Sequence, residues 1–222
     1  MTEFLADIAD ADVAILANGA MPCGDAVEIL HHAHILVACD GAVENALSLG
    51  RVPDFVVGDG DSTSDSKRDA MGERFVCVDE QETNDLAKAF RFSCARFPEA
   101  KTIVVLGAHG LRDDHFIGNV SLLPDLAEES ASASVSMVTE SGRFDVVLGR
   151  RTFRTHVGEP VSVFAFRAGV GVVSDGLVWP LEGVRLDALW RGALNRADKE
   201  TVTLAADGPI VVYRPVPARN RS

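Results

Sequence analysis

A short apolar run passes directly into an acidic turn in the stretch Phe55-Val56-Val57-Gly58-Asp59-Gly60-Asp61-Ser62. Three consecutive apolar residues, two of them β-branched, favour a buried strand, whereas Gly and Asp tolerate the backbone angles of a tight turn. In open α/β sheets, ligands bind outside the carboxyl ends of the strands. The stretch therefore predicts an α/β fold with a functional loop after this strand.

Short apolar runs alternate with helix-like segments through about residue 140. Such alternation is typical of βα units, which build a mainly parallel sheet with flanking helices. The predicted strands are Val13–Leu16, Ile35–Cys39, Phe55–Val57, Phe75–Val78, Ile103–Leu106 and Ser134–Val138. The predicted helices are Asp25–His32, Ala42–Leu49, Asn84–Phe97 and Asp114–Glu128.

After Ser141-Gly142 the pattern changes to short β-branched or aromatic runs separated by Gly, Pro and Asp. Such spacing without intervening helices predicts a small antiparallel sandwich. The predicted strands here are Phe144–Leu148, Thr152–His156, Val161–Phe166, Val170–Val173, Leu181–Leu186, Thr201–Leu204 and Ile210–Tyr213. We therefore predict a Rossmann-like α/β domain at residues 1–142 and a C-terminal antiparallel β-sandwich at residues 143–222.

Composition narrows the class of protein. Lys and Arg number 21 against 33 acidic residues, and the net charge of -12 disfavours a nucleic-acid partner, because a polyanion requires a basic surface. The four cysteines form no Cys-x-x-Cys pair, so neither a zinc site nor a redox motif is indicated. The sequence shows no secretory leader and no apolar run of roughly 20 residues, so we expect a cytoplasmic protein without a membrane partner.

Carboxylates are concentrated at Asp59 and Asp61 and again at Asp85, and Asp40 follows another predicted strand. Mg²⁺ takes oxygen ligands, usually one or two carboxylates together with waters and substrate phosphates. Asp59 and Asp61 are two residues apart, so both can reach one ion if the turn folds back. We predict a metal–nucleotide site; the alternatives are an ordinary Asp-Gly turn and, for Asp40 and Asp85, helix N-caps.

Arg112 and Asp114 follow the predicted strand Ile103–Leu106. An arginine at a strand end pairs with phosphate through a bidentate fork, so Arg112 is a candidate nucleotide-binding residue. A salt bridge between Arg112 and a neighbouring acid is the alternative interpretation. Because four polar turns each follow a buried strand, we expect them to converge on one crevice.

With these residues in place, the chain resembles the thiamine pyrophosphokinase family, whose members move a pyrophosphoryl group from ATP to the hydroxyl of thiamine. No P-loop motif is present, so another device must hold the triphosphate. The order and spacing of several segments carry the resemblance, which spans nearly the whole chain. The segments are Ile15 to Gly19, Cys39 to Ala42, Gly58 to Ser62, Gln81 to Lys88, Arg112 to Asn119, Ser174 to Leu181 and Gly192 to Asn195.

The resemblance implies ATP as co-substrate, Mg²⁺ as cofactor and thiamine as acceptor. It implies catalytic roles for Asp59, Asp61 and Asp85. It also implies that these three acids bind the metal together with Asp40. It implies nucleotide binding by Asn18, Asp40, Gln81, Arg112 and Asp114. It implies thiamine binding by Ser174, Leu177, Trp179 and Asn195, with the Trp179 indole as a stacking surface for an aromatic ring.

Three positions depart from the family pattern. Leu111 stands where the family has the second of two glycines, Asn84 where it commonly has threonine, and Leu194 where a serine precedes asparagine. Each of the last two changes removes a hydroxyl group.

The resemblance also implies a homodimer with shared active sites, in which Trp179 of one chain completes the site built by Asp59 and Asp61 of the other. Two alternative functions stay open. One is a pyrophosphokinase for another heterocyclic alcohol such as a pterin, and Trp179 argues against it. The other is a non-catalytic nucleotide- or thiamine-binding module, and the intact acidic set argues against that.

Overall fold

The computed structural model describes residues 3–61, 65–130 and 132–216. Its strands are β1 Val13–Leu16, β2 Ile35–Cys39, β3 Phe55–Gly58, β4 Phe75–Cys77, β5 Thr102–Leu106, β6 Ser134–Val138, β7 Gly142–Val147, β8 Arg150–Arg154, β9 Pro160–Phe164, β10 Val172–Asp175, β11 Asn195–Arg196, β12 Thr201–Ala206 and β13 Ile210–Pro215. Its α-helices are α1 Asp25–His32, α2 Val43–Ser48, α3 Asp65–Met71, α4 Asp85–Arg96 and α5 Asp113–Glu129. Short 3-10 helices lie at Glu3–Ile8, Asp40–Ala42, Gly72–Arg74 and Leu189–Gly192.

Ten strands form one sheet in the order β11-β9-β13-β7-β6-β5-β1-β2-β3-β4. The six strands from β6 to β4 are parallel, and the strands from β7 to β11 pair antiparallel. From β1 the chain builds outward through β2, β3 and β4 on one side, and β5 then pairs with the other side of β1. The strand order therefore reverses between β1 and β5, which is where open α/β sheets bind ligands.

Most residues of the central parallel strands β1, β2, β3 and β5 are buried, and helices pack against the sheet. All four residues of β1 are buried, as expected for a central parallel strand enclosed on both faces. Helix α4 packs on β1, β2 and β3, and α5 packs on β6 and β7. Phe90 of α4 is among the largest fully buried side chains of this core.

The C-terminal part adds a separate antiparallel sheet in the order β10-β12-β8. Side chains from this sheet share a second apolar core with residues of β7, β9 and β13 from the large sheet. The predicted fold class is confirmed: a mainly parallel sheet with helices is followed by a two-layer antiparallel unit. The division after residue 142 stays a prediction, since β7 begins at Gly142 and bonds to β6 as well as β13.

One predicted strand, Leu181–Leu186, is wrong. Leu181 and Leu186 are buried, but the segment turns between them, with Gly183 at φ 75° and the Val184 N–H donating to the Leu181 carbonyl. Helix α3, strand β11 and the 3-10 helices were not predicted. Ser62, which ends the predicted acidic turn, and residues 217–222, which end the predicted C-terminal domain, lie outside the described residues.

No helix in the described ranges has the length and apolar character required to cross a bilayer.

Candidate active site

A cavity of about 280 Å³ opens at the carboxyl ends of β1 and β5, at the point where the strand order reverses. The loops after both strands form its walls, together with the first residues of α4 and the start of α5. Among the lining residues are Asn18, Asp85, His109, Leu111 and Arg112. The cavity is therefore built from three segments that the sequence singled out, the turns after β1 and β5 and the start of α4, whereas Asp40, Asp59 and Asp61 are not among its lining residues.

Three carboxylates converge beside this cavity. Asp40, Asp59 and Asp61 each offer an oxygen, and these oxygens all lie within 4.8 Å of one another. The turn after β3 is bonded to Asp40, whose Oδ2 accepts the Gly60 N–H at 2.9 Å. The turn also folds back on itself, because the Asp61 N–H donates to Asp59 Oδ1 at 3.2 Å. Asp40 is only 1% exposed, whereas Asp61 faces solvent, so the cluster is open on one side.

Two glycines allow the predicted side chains to pack this closely. A Cβ atom at Gly58 would lie 2.6 Å from Asp40 Cγ, and one at Gly41 would lie 2.2 Å from Asn18 Nδ2. Both separations are far below van der Waals contact. The backbone after β2 and β3 must therefore lack side chains here for Asp40 and Asn18 to keep their positions.

The surroundings of Asp59 and Asp40 move their pKa values in opposite directions. The Gln81 Nε2 donates to Asp59 Oδ2 at 3.0 Å, and this bond, with the Asp61 N–H and Lys88, lowers the pKa of Asp59 to about 2. Burial and the nearby charge of Asp85 raise the pKa of Asp40 above its usual value. Gln81, predicted as a nucleotide ligand, thus contacts the acidic cluster itself.

Asp85 occupies the first turn of α4, and the preceding Asn84 is the N-cap. The Asn84 Oδ1 accepts the Ala87 N–H at 3.0 Å, and the Asn84 Nδ2 donates to Asn119 Oδ1 at 3.2 Å. Asn84 therefore caps the helix and links α4 to α5 at the position where the family commonly has threonine.

Lys88 belongs to this site although it was not predicted from the sequence. Its Nζ lies 3.3 Å from Asp85 Oδ1 and 3.4 Å from Asp59 Oδ2, and the residue is 5% exposed. Burial lowers the pKa of Lys88, but hydrogen bonds and charge interactions with Asp85 and Asp59 outweigh burial, so the pKa is raised. The available signal was its position one turn after Asp85, inside the buried apolar segment of α4.

Arg112 forms a fork with Asp114, its Nε donating to Oδ1 at 3.0 Å and its terminal nitrogen to Oδ2 at 2.6 Å. This pairing lowers the pKa of Asp114 to about 2. Both side chains are exposed at the start of α5. The salt bridge that the sequence left as an alternative is thus present, and Arg112 also lines the cavity.

His109 also lines the cavity and was not predicted from the sequence. The Glu140 N–H donates to His109 Nε2 at 3.5 Å, and burial lowers the pKa of the imidazole. Burial therefore favours the neutral form of the ring. The signal in the sequence was its position between Gly107 and Gly110 in the loop after β5; the predicted site residues Arg112 and Asp114 come later, at the start of α5.

The predicted thiamine-binding residues lie together in the C-terminal part. Asn195 Oδ1 accepts the Trp179 N–H at 3.2 Å, and Asn195 Nδ2 donates to the Trp179 carbonyl at 2.7 Å. This clamp holds Trp179, which is 55% exposed. Ser174 Oγ accepts the Leu181 N–H at 2.9 Å, and Leu177 is buried in the C-terminal core.

The two groups of site residues are far apart along the sheet. Asn195 is on β11 at one edge, and Asp59 follows β3, next to the opposite edge, so eight strand spacings separate them. At about 4.8 Å per spacing this is roughly 38 Å in a flat sheet. The cavity is lined by residues between Ala17 and Asn119.

Comparisons with known proteins agree over both parts of the chain. Residues 26–135 match the family model for the thiamin pyrophosphokinase catalytic domain, and residues 142–213 match the model for the thiamin pyrophosphokinase substrate-binding domain. A search of curated proteins found no match.

Solved structures share the fold at low sequence identity. The thiamine pyrophosphokinase from Bacillus subtilis is 18% identical, with a TM-score of 0.72 over 92% of this chain and 98% of that chain. The enzyme from Candida albicans is 16% identical, with a TM-score of 0.75 over 96% and 91%. The yeast enzyme is 13% identical, with a TM-score of 0.72 over 93% and 86%.

Proposed function

The chain belongs to the thiamin pyrophosphokinase family, and we propose that its acidic cluster and the adjoining cavity form the site at which ATP gives its pyrophosphoryl group to thiamine. The products are thiamine diphosphate and AMP. One observation carries this assignment: the oxygens of Asp40, Asp59 and Asp61 converge beside the cavity at the switch point of the sheet.

The donor atoms of the cluster fit Mg²⁺. All are carboxylate oxygens, one side of the cluster is open, and the hard ion Mg²⁺ binds through a few carboxylates together with waters and phosphates. Asp40, Asp59, Asp61 and Asp85 are the proposed ligands, directly or through water. The metal would screen the charge of the transferring phosphates.

The cavity suits the phosphates of ATP. The first turns of α4 and α5 contribute to its walls, and their backbone N–H groups favour anions. Arg112 stands at the start of α5 with a planar fork that fits phosphate as well as it fits Asp114. We propose that nucleotide phosphate competes with Asp114 for this guanidinium, and that Asn18 and Gln81 border the same nucleotide.

The chemistry requires alignment more than covalent help. The thiamine hydroxyl oxygen forms a bond to the β-phosphorus, the bond from that phosphorus to the oxygen bridging to the α-phosphate breaks, and AMP leaves. Asp59 is one of the three acids whose oxygens converge, which suits a direct metal ligand, whereas Asp85 lies outside that group in the first turn of α4. We therefore assign to Asp85 the orientation of the hydroxyl and the acceptance of its proton.

Thiamine must meet ATP although the two groups of residues lie far apart along one chain. The separation of Asn195 and Asp59 by eight strand spacings supports a homodimer in which the partner chain brings Trp179 to the acidic cluster. In this proposal residues 1–142 hold metal and nucleotide, and residues 143–222 hold thiamine for the partner. We also propose that the reaction takes place in the cytoplasm.

Replacing Asp61 with asparagine tests the metal site. Asp61→Asn removes a metal-directed charge from an exposed turn, so turnover should fall at least about a hundredfold without loss of the fold. The measurement is AMP release from ATP with and without thiamine, at saturating Mg²⁺. Asp69→Asn, the same change on the exposed surface of α3, is the control and should be as active as the wild type.

The same assay separates the alternatives. AMP release that depends on a pterin alcohol instead of thiamine would indicate the other pyrophosphokinase, and no release with any acceptor would indicate a binding module. Near-normal turnover of Asp61→Asn would overturn the metal assignment.

A further inference from the structure

Lys88 carries a charge in a place where charges are costly. Its side chain is 3% exposed, so its ammonium has lost most of its water. A buried ammonium is tolerated when it is paired, and Lys88 has two carboxylates within 3.4 Å, Asp59 and Asp85. The lysine therefore depends on these two acids to remain charged in the folded protein.

The same two acids are proposed ligands of the metal. The Lys88 Nζ lies close to Asp59 Oδ2 and Asp85 Oδ1, so the ammonium bridges the acidic turn after β3 and the first turn of α4. Mg²⁺ approaches its ligand oxygens to about 2.1 Å and requires a nearly ideal octahedron. An ammonium and a divalent cation on the same two carboxylates repel each other, so each weakens the binding of the other.

We propose that Lys88 is an internal counter-ion of the active site, which neutralises Asp59 and Asp85 until a divalent cation displaces its ammonium. The inference rests on the proposed metal site. The displaced ammonium is still anchored by a buried stem, and the nearest new anion is the phosphate that arrives with the metal. Lys88 then acts as a positioning residue that couples metal binding to nucleotide binding. The metal frees the ammonium to pair with phosphate, and the phosphate stabilises the ammonium after it has left the two carboxylates.

This exchange predicts how the metal-free protein behaves. In the wild type, metal alone must compete with a lysine, so Mg²⁺ without nucleotide binds weakly. With Lys88→Met, a change of similar volume, Asp59 and Asp85 lose their shared cation and only a metal can replace it. The variant should therefore be less stable without metal and should bind metal more tightly.

The test uses the full chain with Mg²⁺ or Mn²⁺ alone as the probe. Thermal unfolding is followed with EDTA and with Mg²⁺, and Mn²⁺ binding is measured by electron paramagnetic resonance. We expect Lys88→Met to unfold at a lower temperature in EDTA, to recover in Mg²⁺, and to bind Mn²⁺ about tenfold more tightly than the wild type. Arg91→Met, one turn further along α4 and paired with Glu129, is the control and should behave as the wild type.

A second variant keeps the test valid if Lys88→Met does not fold. Lys88→Gln removes the charge but leaves an amide that can donate to the same carboxylates, and it should show the same gain in Mn²⁺ affinity. Equal Mn²⁺ affinity in the wild type and both variants overturns the inference. Failure of both variants to fold in saturating Mg²⁺ also overturns it, because metal should replace the lost ammonium.

Failure of the inference and failure of the proposed function give different results. If the wild type releases AMP with Mg²⁺ and thiamine but the Lys88 variants gain no metal affinity, only the counter-ion role is wrong. If no protein in the set binds Mn²⁺ even with ATP, the metal site itself is wrong and the inference falls with it.

Discussion

Leu194 has a backbone conformation that leucine rarely adopts. Its φ is 62°, and no other described residue except glycine has a positive φ. The left-handed region costs an L-residue about 1–2 kcal/mol because the Cβ approaches the following carbonyl. The side chain is 83% exposed, so packing offsets little of this strain. The strained residue directly precedes Asn195, whose side chain clamps Trp179.

Leu194→Gly should stabilise the protein. Glycine adopts this φ without strain, and almost no buried surface is lost, so the free energy of unfolding should rise by about 1 kcal/mol. Urea unfolding measures the change. Leu189→Gly, in the adjoining 3-10 helix, is the control and should destabilise. A loss of stability in Leu194→Gly would show that the leucine side chain stabilises this turn.

Helix α4 connects the acidic cluster to the rest of the molecule. It begins after the Asn84 cap, places Asp85 and Lys88 on one face, and buries Leu86 and Phe90 against the sheet. The apolar face fixes the rotation of the helix, so the same packing that builds the core points Asp85 and Lys88 at the acidic turn.

Asn84→Ala should destabilise the first turn of α4. The change removes the bond to the Ala87 N–H and should cost about 1 kcal/mol in the free energy of unfolding, whereas Asn84→Thr keeps a capping oxygen and should cost less. Denaturant unfolding of the wild type and the two variants measures this order. Equal losses in Asn84→Ala and Asn84→Thr would mean that the bond to Asn119, and not the cap, stabilises the turn.

The N-terminal 3-10 helix Glu3–Ile8 is held to the large sheet by ion pairs. Arg143 of β7 is fully buried, and its two terminal nitrogens donate to Asp7 Oδ1 at 2.6 Å and Oδ2 at 3.0 Å. Burial raises the pKa of Asp7, but the bond to Arg143 and the charges of Arg143 and Arg151 outweigh it. The pKa of Asp7 therefore lies below its usual value of 3.8.

This shift makes a part of the stability depend on pH. A carboxyl with a lowered pKa in the folded state contributes stability above its unfolded pKa, and the contribution is lost as the pH falls through the folded pKa. Asp7→Asn removes a titrating carboxylate from beside the buried Arg143. The free energy of unfolding should therefore be lower than that of the wild type at pH 7 and should fall less between pH 5 and pH 3.

Urea unfolding across this pH range measures both effects. Asp10→Asn, an exposed acid just after the same 3-10 helix, is the control and should follow the wild-type curve. A variant curve parallel to that of the wild type would contradict a stabilising role for the Asp7 carboxylate.

At the scale of the whole molecule, the two groups of proposed site residues lie toward opposite edges of one sheet. The acidic cluster lies near the β4 edge, and Trp179 is clamped beside β11 at the other edge. Trp190 is 75% exposed in the same C-terminal part. Exposed aromatic residues near one edge are suited to contact with a second copy, and a dimer would bring Trp179 to the partner's acidic cluster.

Mixed dimers test this arrangement. Asp61→Asn and Trp179→Ala chains should each be inactive, and an exchanged equal mixture should regain about a quarter of wild-type activity, because half the dimers carry one intact site of two. AMP release is the assay, and native mass spectrometry confirms exchange.

The reciprocal mixture provides the control. Wild-type chains exchanged with the double variant Asp61→Asn/Trp179→Ala should form mixed dimers without any intact site. Mixed dimers that keep half of the wild-type activity, or a wild-type protein that is monomeric in solution, would contradict the shared site.

Local sequence signals were sufficient for many elements. Strands β1, β2 and β6 and helix α1 have the predicted bounds, because a short apolar run between turn residues and an amphipathic stretch are properties of neighbouring residues. The turn at Asp59 and Asp61 was also predictable, since Gly and Asp favour the backbone angles of tight turns in any protein. The same patterns predicted a strand at Leu181–Leu186, where the described chain turns instead and pairs with no other strand.

The tertiary structure decided the features that depend on residues distant in sequence. Lys88 is one turn from Asp85, but its second partner, Asp59, is brought to it by the pairing of β2 with β3 and the packing of α4 on both. Strand order likewise comes from long-range hydrogen bonds, which join β7 to β6 and make one sheet of two predicted parts. The sequence by itself determined which chemical groups the protein has and which local elements they favour, because composition and local pattern depend only on neighbouring residues. Only the fold decided which of those groups meet, because burial and pairing energies depend on the whole arrangement.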